Sequence, residues 1–305
     1  MTGAAKVAYV FPGQASQEVG MGFDLYQSSP IAREVFYQAD DILGFSLSQL
    51  CFNGPEEELV KTVNVQPAIL ACSIACLKYA QESVDALNTA SFLAGHSLGE
   101  YTALVAAGAL EFDDALKLVR ERGRLMYEAG QRNKGGMLAI IGTELGLIEE
   151  ICLYSGCNIS NINCPGQIVI SGAIDALNEA SKLAKEKKIR RAIPLRVSGA
   201  FHSSLMEPVM AEFQQLISKL PLSTPNYPVV ANVTAQPLVG ISEIREELVK
   251  QLRCCIQWQS SIEYIRDKGV STFYEIGPGK VLSGLIKRIY PDAEIFTISG
   301  KQSVV

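Results

Sequence analysis

The sequence predicts a mixed α/β fold: a parallel α/β sheet with a smaller β-α-β-β-α-β unit inserted in it. Three observations predict this. A short apolar run, Ser91 to Ala94, leads into Gly95-His96-Ser97-Leu98-Gly99 and then into an Ala-rich helical stretch, Glu100 to Leu110. Strand, sharp turn and helix are the context that makes G-x-S-x-G a nucleophile elbow. Strand-length apolar runs alternate with segments on a 3.6-residue period over much of the chain. Between about residues 129 and 198 the order becomes β-α-β-β-α-β, which fits a ferredoxin-like split unit. The larger part is then residues 1–128 and 199–305, and the inserted part residues 129–198.

A chain of 305 residues, 48% hydrophobic and 19% charged, can bury a sizeable core. Its formal charge of −5 argues against general nucleic-acid binding. No run of ~18 apolar residues suggests a membrane span. Met1-Thr2-Gly3-Ala4-Ala5-Lys6 lacks the charged, apolar, small pattern of a signal peptide. The eight cysteines include no C-x-x-C pair and sit mostly in apolar runs, the usage of a reduced, cytoplasmic protein. Two histidines leave little for a dedicated zinc site, so no metal is expected.

Taken in order, Lys6 to Phe11 reads as the first buried strand, ended by the glycine turn Pro12-Gly13-Gln14-Ala15-Ser16-Gln17. Pro30 to Leu43 and Glu56 to Val63 read as helices, and Gln66 to Gln81 as a long, buried one. Phe112 to Ala129 reads as a helix with Asp113 and Asp114 suited to its first turn. Arg120 and Arg124 share one face of it, and Arg122 points elsewhere; an arginine on a helix is most often a solvated charge. Gly135 to Gly142 reads as a strand, Gly146 to Ser155 as a helix, and Asn158–Asn163 with Gln167–Ser171 as a strand pair around Pro165-Gly166. Ile174 to Lys185 reads as a helix and Arg191 to Val197 as a strand. Residues 182–196 carry Lys182, Lys185, Lys187, Lys188, Arg190, Arg191 and Arg196 against Glu186 alone, which is either a solvated helix end or a docking surface for phosphates or an acidic partner. Ser198 to Ser204 is a loop before a helix, Leu205 to Leu220. Pro228–Asn232 and Thr272–Ile276 read as strands, and Ile244–Leu252, Ser260–Lys268 and Val281–Ile289 as helices.

A serine hydroxyl on a tight turn projects away from the backbone, but it is a poor nucleophile until a base takes its proton. His96 neighbours Ser97, where adjacent side chains diverge. His202 is the other imidazole, and so the better candidate base. No acidic residue stands out as the third member of a triad; a backbone carbonyl could hold the imidazole tautomer instead.

Seven blocks occur in order: Phe11-Pro12-Gly13-Gln14-Ala15-Ser16-Gln17, Gly95-His96-Ser97-Leu98-Gly99-Glu100, Glu121-Arg122-Gly123-Arg124, Asn163-Cys164-Pro165-Gly166-Gln167, Ala200-Phe201-His202-Ser203, Gln257-Trp258 and Glu275-Ile276-Gly277-Pro278-Gly279. Together they resemble the malonyl-CoA:acyl carrier protein transacylase family, which includes the acyltransferase domains of polyketide synthases. The resemblance runs from about Val7 to Ile289. It implies an α/β-hydrolase-like core with a ferredoxin-like insertion and a site in the cleft between them. It implies that Ser97 carries malonate as an ester, that His202 is the general base, and that a main-chain carbonyl at Gln257 orients that histidine. It implies an oxyanion hole from the amides of Gln14 and Leu98, and a pairing of Arg122 with the free carboxylate of malonate. Malonyl-CoA is then the substrate, with no bound cofactor, and the partner is an acidic acyl carrier protein that supplies the phosphopantetheine thiol. Phe201 resembles the bulky residue of malonyl-selective members, and Arg190 and Arg191 are candidates for CoA or carrier contacts. One departure is Ala15, where members often have glycine, so the backbone there is expected to suit a β-carbon. The sequence does not separate fatty-acid from polyketide synthesis; fatty-acid synthesis is the expectation, and a free-standing polyketide acyltransferase the alternative. An editing acyl hydrolase and a non-catalytic carrier-binding scaffold are the alternatives in kind.

Overall fold

Two sheets organise the computed structural model, which describes residues 6–83, 87 and 89–300. The signal-peptide reading of Met1 to Ala5 concerns residues outside these. In chain order, β1 (Val7–Phe11) precedes five helices, α1 (Phe23–Ser28), α2 (Pro30–Leu43), α3 (Leu47–Asn53), α4 (Glu56–Leu59) and α5 (Thr62–Ser83). Then come β2 (Phe92–Gly95), α6 (Leu98–Ala106) and α7 (Phe112–Arg132). The next stretch holds β3 (Gly135–Ile141), α8 (Leu145–Ser155), β4 (Asn158–Cys164), β5 (Gln167–Ala173), α9 (Ile174–Glu186) and β6 (Arg191–Pro194). The last holds α10 (Glu207–Ser218), β7 (Val229–Val230), β8 (Pro237–Leu238), α11 (Ile241–Gln251), α12 (Trp258–Asp267), β9 (Thr272–Ile276), α13 (Val281–Ile289) and β10 (Glu294–Ile298).

The larger sheet runs β10-β9-β1-β2-β7-β8 and is parallel except where β8 turns back on β7. Its central strand β1 is apolar on both faces because both faces are covered. Tyr9 and Phe11 join the core that includes α2, α5, α6 and α7, whereas Ala8 and Val10 join the core built with α12 and α13. The smaller sheet is antiparallel, in the order β4-β5-β3-β6. One face, with Leu138, Ile140, Ile168 and Ile170, packs on α8 and α9. Met137, Ala139 and Val169, on the alternate face, belong to the large core instead.

Local chemistry explains most boundaries. The Ser29 hydroxyl accepts the Ala32 amide at 3.3 Å, Pro30 opens α2, and Gly44 in the left-handed region (φ 69°) ends it. The segment read as one helix from Glu56 to Val63 is instead α4 followed by the start of α5. Helix α5 also corrects the membrane reading. By length and composition Thr62–Glu82 could cross a bilayer, but 78% of its apolar window is buried inside the fold, between α2, α6 and α7. Helices α1 and α3, six and seven residues long, are too short to show a period.

Candidate active site

Strand β2 ends at Gly95 and α6 begins at Leu98, so the turn between them is two residues, His96 and Ser97. Ser97 sits at φ 51°, ψ −102°, a strained backbone that surrounding contacts must hold. The two glycines are required by close approach: a Cβ on Gly95 would overlap the Gly99 carbonyl, and one on Gly99 would overlap the carbonyl of Phe11. Gly99→Ala should therefore cost about 1–3 kcal/mol in denaturant unfolding. Gly284→Ala, in α13 where an added Cβ meets nothing, should gain about 0.5–1 kcal/mol in the same measurement. Two buried amides pin the turn. Asn232 Oδ1 accepts the Ser97 amide and its Nδ2 donates to the Gly95 carbonyl, both at 2.7 Å. Gln251 Nε2 donates to the Ser97 carbonyl at 2.8 Å.

His202 follows β6 on a loop held by Ser171 Oγ, which donates to the Phe201 carbonyl at 2.7 Å, and by Ser203 Oγ, which donates to the Ala200 carbonyl at 2.6 Å. Its Nδ1 lies 2.7 Å from the Gln251 carbonyl and its Nε2 lies 2.8 Å from Ser97 Oγ. A carbonyl only accepts, so Nδ1 carries the proton and Nε2 is left to accept from the serine. Burial, then the nearby Arg122 charge, pushes the His202 pKa down to about 3, against the pull of the Gln251 carbonyl. The imidazole is neutral at pH 7.

Arg122 lies on the buried face of α7, 1% exposed. Its Nη1 donates to Gln66 Oε1 at 2.7 Å, and its Nη2 donates to Gln251 Oε1 at 2.8 Å and to Ser97 Oγ at 3.0 Å. The Tyr101 ring lies 5.1 Å from the guanidinium carbon. Among the described residues no carboxylate forms an ion pair with this guanidinium and its Nε has no partner. Burial lowers its pKa without discharging it. A buried cation held only by neutral oxygens is a site with one negative charge missing.

These groups meet at a cavity of about 760 Å³ bordered by Gln14, Ser97, Leu98, Arg122, Phe201 and His202, with the Met137–Ala139 face of the smaller sheet opposite. Among the described residues neither the Gln14 nor the Leu98 amide donates a hydrogen bond. Residues 8–301 match the model of the acyl transferase domain family. The chain belongs to that family. It is 44% identical to the malonyl CoA-acyl carrier protein transacylase of Bacillus subtilis, over 98% of this chain and 95% of the relative. A crystal structure of an acyl carrier protein S-malonyltransferase from Vibrio cholerae is similar at 39% identity and a TM-score of 0.95, covering 98% of this chain and 99% of that one. A malonyl-transacylase solved in complex with its type II PKS acyl-carrier protein is also 39% identical, with a TM-score of 0.94 and 98% of each chain covered.

Within this acyl transferase chain the structure brings Ser97, His202, Arg122, Gln14, Leu98 and Phe201 to one cavity. Gln257 is not the residue that orients His202. Its carbonyl accepts the Ser261 amide at 2.9 Å as α12 begins, and its amide donates to the Asn232 carbonyl at 2.7 Å. The carbonyl on His202 is that of Gln251, where α11 ends and carbonyls lack helical partners. Arg190 and Arg191 are exposed and do not border the cavity; Arg191 starts β6 opposite Ile141, and from the same basic stretch it is Arg196 that borders the cavity. Ala15 does not have an ordinary backbone: its φ is 83°, a left-handed angle costing about 1 kcal/mol for an alanine. Gln17 Oε1 accepts its amide at 2.8 Å and holds it there. His96 turns away from Ser97, with Nε2 2.8 Å from Asn163 Oδ1 and its ring against Trp258. Sequence reasoning missed Gln66, Asn232 and Gln251. They are neutral amides in unremarkable helix and strand contexts, and no spacing marks them.

Proposed function

We propose that the chain transfers malonyl from malonyl-CoA to the phosphopantetheine thiol of an acyl carrier protein through an ester on Ser97. One observation carries this reading: a buried guanidinium without an acidic partner sits 3.0 Å from a serine whose hydroxyl faces a neutral histidine. Malonate is the acyl group that brings its own carboxylate, and a guanidinium fork takes a carboxylate bidentately.

In the first half-reaction Ser97 Oγ attacks the thioester carbon while His202 Nε2 takes its proton. The carbonyl oxygen becomes an oxyanion, and the amides of Gln14 and Leu98 receive it. The Gln251 carbonyl steadies the imidazolium through Nδ1–H. The carbon–sulfur bond breaks and the sulfur leaves with the proton from Nε2. In the second half-reaction the carrier's thiol gives its proton to His202 and attacks the ester, and Ser97 regains its hydrogen. A malonyl carboxylate on Arg122 also offsets one of the charges that depress His202, so bound substrate makes the base stronger.

The wider reading has matching support. An elbow at the end of a parallel strand fits an α/β-hydrolase-like core over residues 1–128 and 199–305, and the order β4-β5-β3-β6 with α8 and α9 on one face fits a ferredoxin-like subdomain at 129–198. Phe201, 4% exposed beside His202, leaves little space for a branched acyl group. Exposed Arg190 and Arg191 suit CoA phosphates or an acidic carrier. Eight free cysteines, six of them buried, suit reducing cytoplasm. Fatty-acid synthesis is the pathway we favour, and a polyketide carrier is the second reading, favoured by the similarity to the transacylase solved with its PKS carrier.

Malonyl-CoA should leave one malonyl group on the Ser97 peptide by mass spectrometry, and a holo carrier protein should discharge it onto its own thiol. No adduct, or an adduct lost to water equally fast with and without carrier, would overturn the reading. A panel of carriers separates the two pathways.

A further inference from the structure

Glu100 performs no step of the reaction above. It is fully buried, does not border the cavity, and lies in the first turn of α6, three residues after the nucleophile. Its Oε1 accepts the Asn232 backbone amide at 2.8 Å and its Oε2 accepts Gln251 Nε2–H at 2.6 Å. Burial and the neighbouring Glu247 push this carboxyl up, while the two N–H groups and Arg122 favour its charge. Each oxygen nonetheless takes an N–H, so both act as acceptors toward Asn232 and Gln251.

A side-chain amide can face either way, because its two ends are alike in shape. A carboxyl oxygen that faces an N–H can only accept it. Glu100, together with the Ser97 carbonyl and Arg122, therefore sets the Gln251 nitrogen toward it. That choice satisfies the whole Gln251 side chain. Nε2 gives one hydrogen to Glu100 and the other to the Ser97 carbonyl, and Oε1 is left to accept Arg122 Nη2 at 2.8 Å. A reversed amide would set its oxygen against two acceptors and its NH2 against a guanidinium. The Nη2 so held is the atom that reaches Ser97 Oγ. A second arm runs through Asn232, whose side chain pins the elbow and serves every acyl group alike.

We propose that Glu100 is a positioning residue for acyl selectivity: it fixes the polarity of the Gln251 amide, which holds the Arg122 guanidinium where an acyl carboxylate meets it. This rests on the malonyl-transfer reading.

The test is a double-mutant cycle on the preference for malonyl-CoA over acetyl-CoA in acyl-enzyme formation. Glu100→Gln keeps the size and swaps an acceptor for a donor. It should slow both substrates and lower the preference about tenfold, whereas in a Gln251→Leu background the same substitution should move the preference less than about twofold. A purely structural role would shrink the active fraction, counted by a neutral fluorophosphonate, and leave the preference unchanged. Glu100→Asp takes the same place in the cycle if the glutamine variant is not folded. Equal losses for both substrates, no loss, or a drop that persists without Gln251 would overturn the proposal. A wild type without malonyl preference, or one that keeps it after Arg122→Ala, would instead sink the reading beneath it.

Discussion

Arg122→Ala should lower kcat/KM for malonyl-CoA by about 10²–10³-fold, the cost of removing one partner from a buried charge pair. Acetyl-CoA should change far less, because it brings no carboxylate to lose. Steady-state transfer of each acyl group to a holo carrier measures both numbers. The asymmetry follows from the burial. Arg122 is 1% exposed and its protein partners are two glutamine oxygens and a serine hydroxyl. In water a guanidinium–carboxylate pair is worth little; out of water, with no carboxylate in direct contact among the described residues, the substrate supplies that partner. Equal losses for malonyl and acetyl would mean that the guanidinium serves the serine rather than the cargo.

His202→Ala should slow acyl-enzyme formation by about 10²–10⁴-fold with either acyl group, the range for a positioned general base. The pH dependence separates this from a loss of fold. An ordinary histidine titrates near 6.5, and burial followed by Arg122 pushes His202 down to about 3. Its proton-accepting form therefore persists well below neutrality, and kcat/KM, which reports the free enzyme, should show no acid limb between about pH 7 and pH 5. Arg122→Ala removes a positive neighbour, so the acid limb should move up. Stability has the matching sign. Between 6.5 and about 3 the unfolded chain binds a proton at this residue that the folded one does not, so this residue's contribution falls as pH drops through that window. A wild-type limb near 6.5 would show that the imidazole is solvated in the working enzyme.

Local patterns carried much of this protein. Gly95-His96-Ser97-Leu98-Gly99 between an apolar run and an Ala-rich stretch marks an elbow, because a turn that tight needs residues without side chains on both sides of the serine. The β-α-β-β-α-β order marks the smaller sheet, since period and turn residues are local properties. A count of two histidines left a single plausible base. The Arg122 reading shows where local inference ends. Its spacing on α7 turned it away from Arg120 and Arg124, but only the fold shows that the direction it took is inward and that, among the described residues, no carboxylate pairs with it directly.

The sequence alone therefore singled out the candidate nucleophile, the candidate base and the mixed α/β plan, because each is written in contiguous residues or in composition. The tertiary structure decided who holds them: the Gln251 carbonyl rather than that of Gln257, the Asn232 and Gln251 amides across the elbow, and Glu100 beneath both. Those contacts join residues 49 to 154 positions apart. A neutral amide becomes specific only when folding brings it against a partner that can solely accept or solely donate.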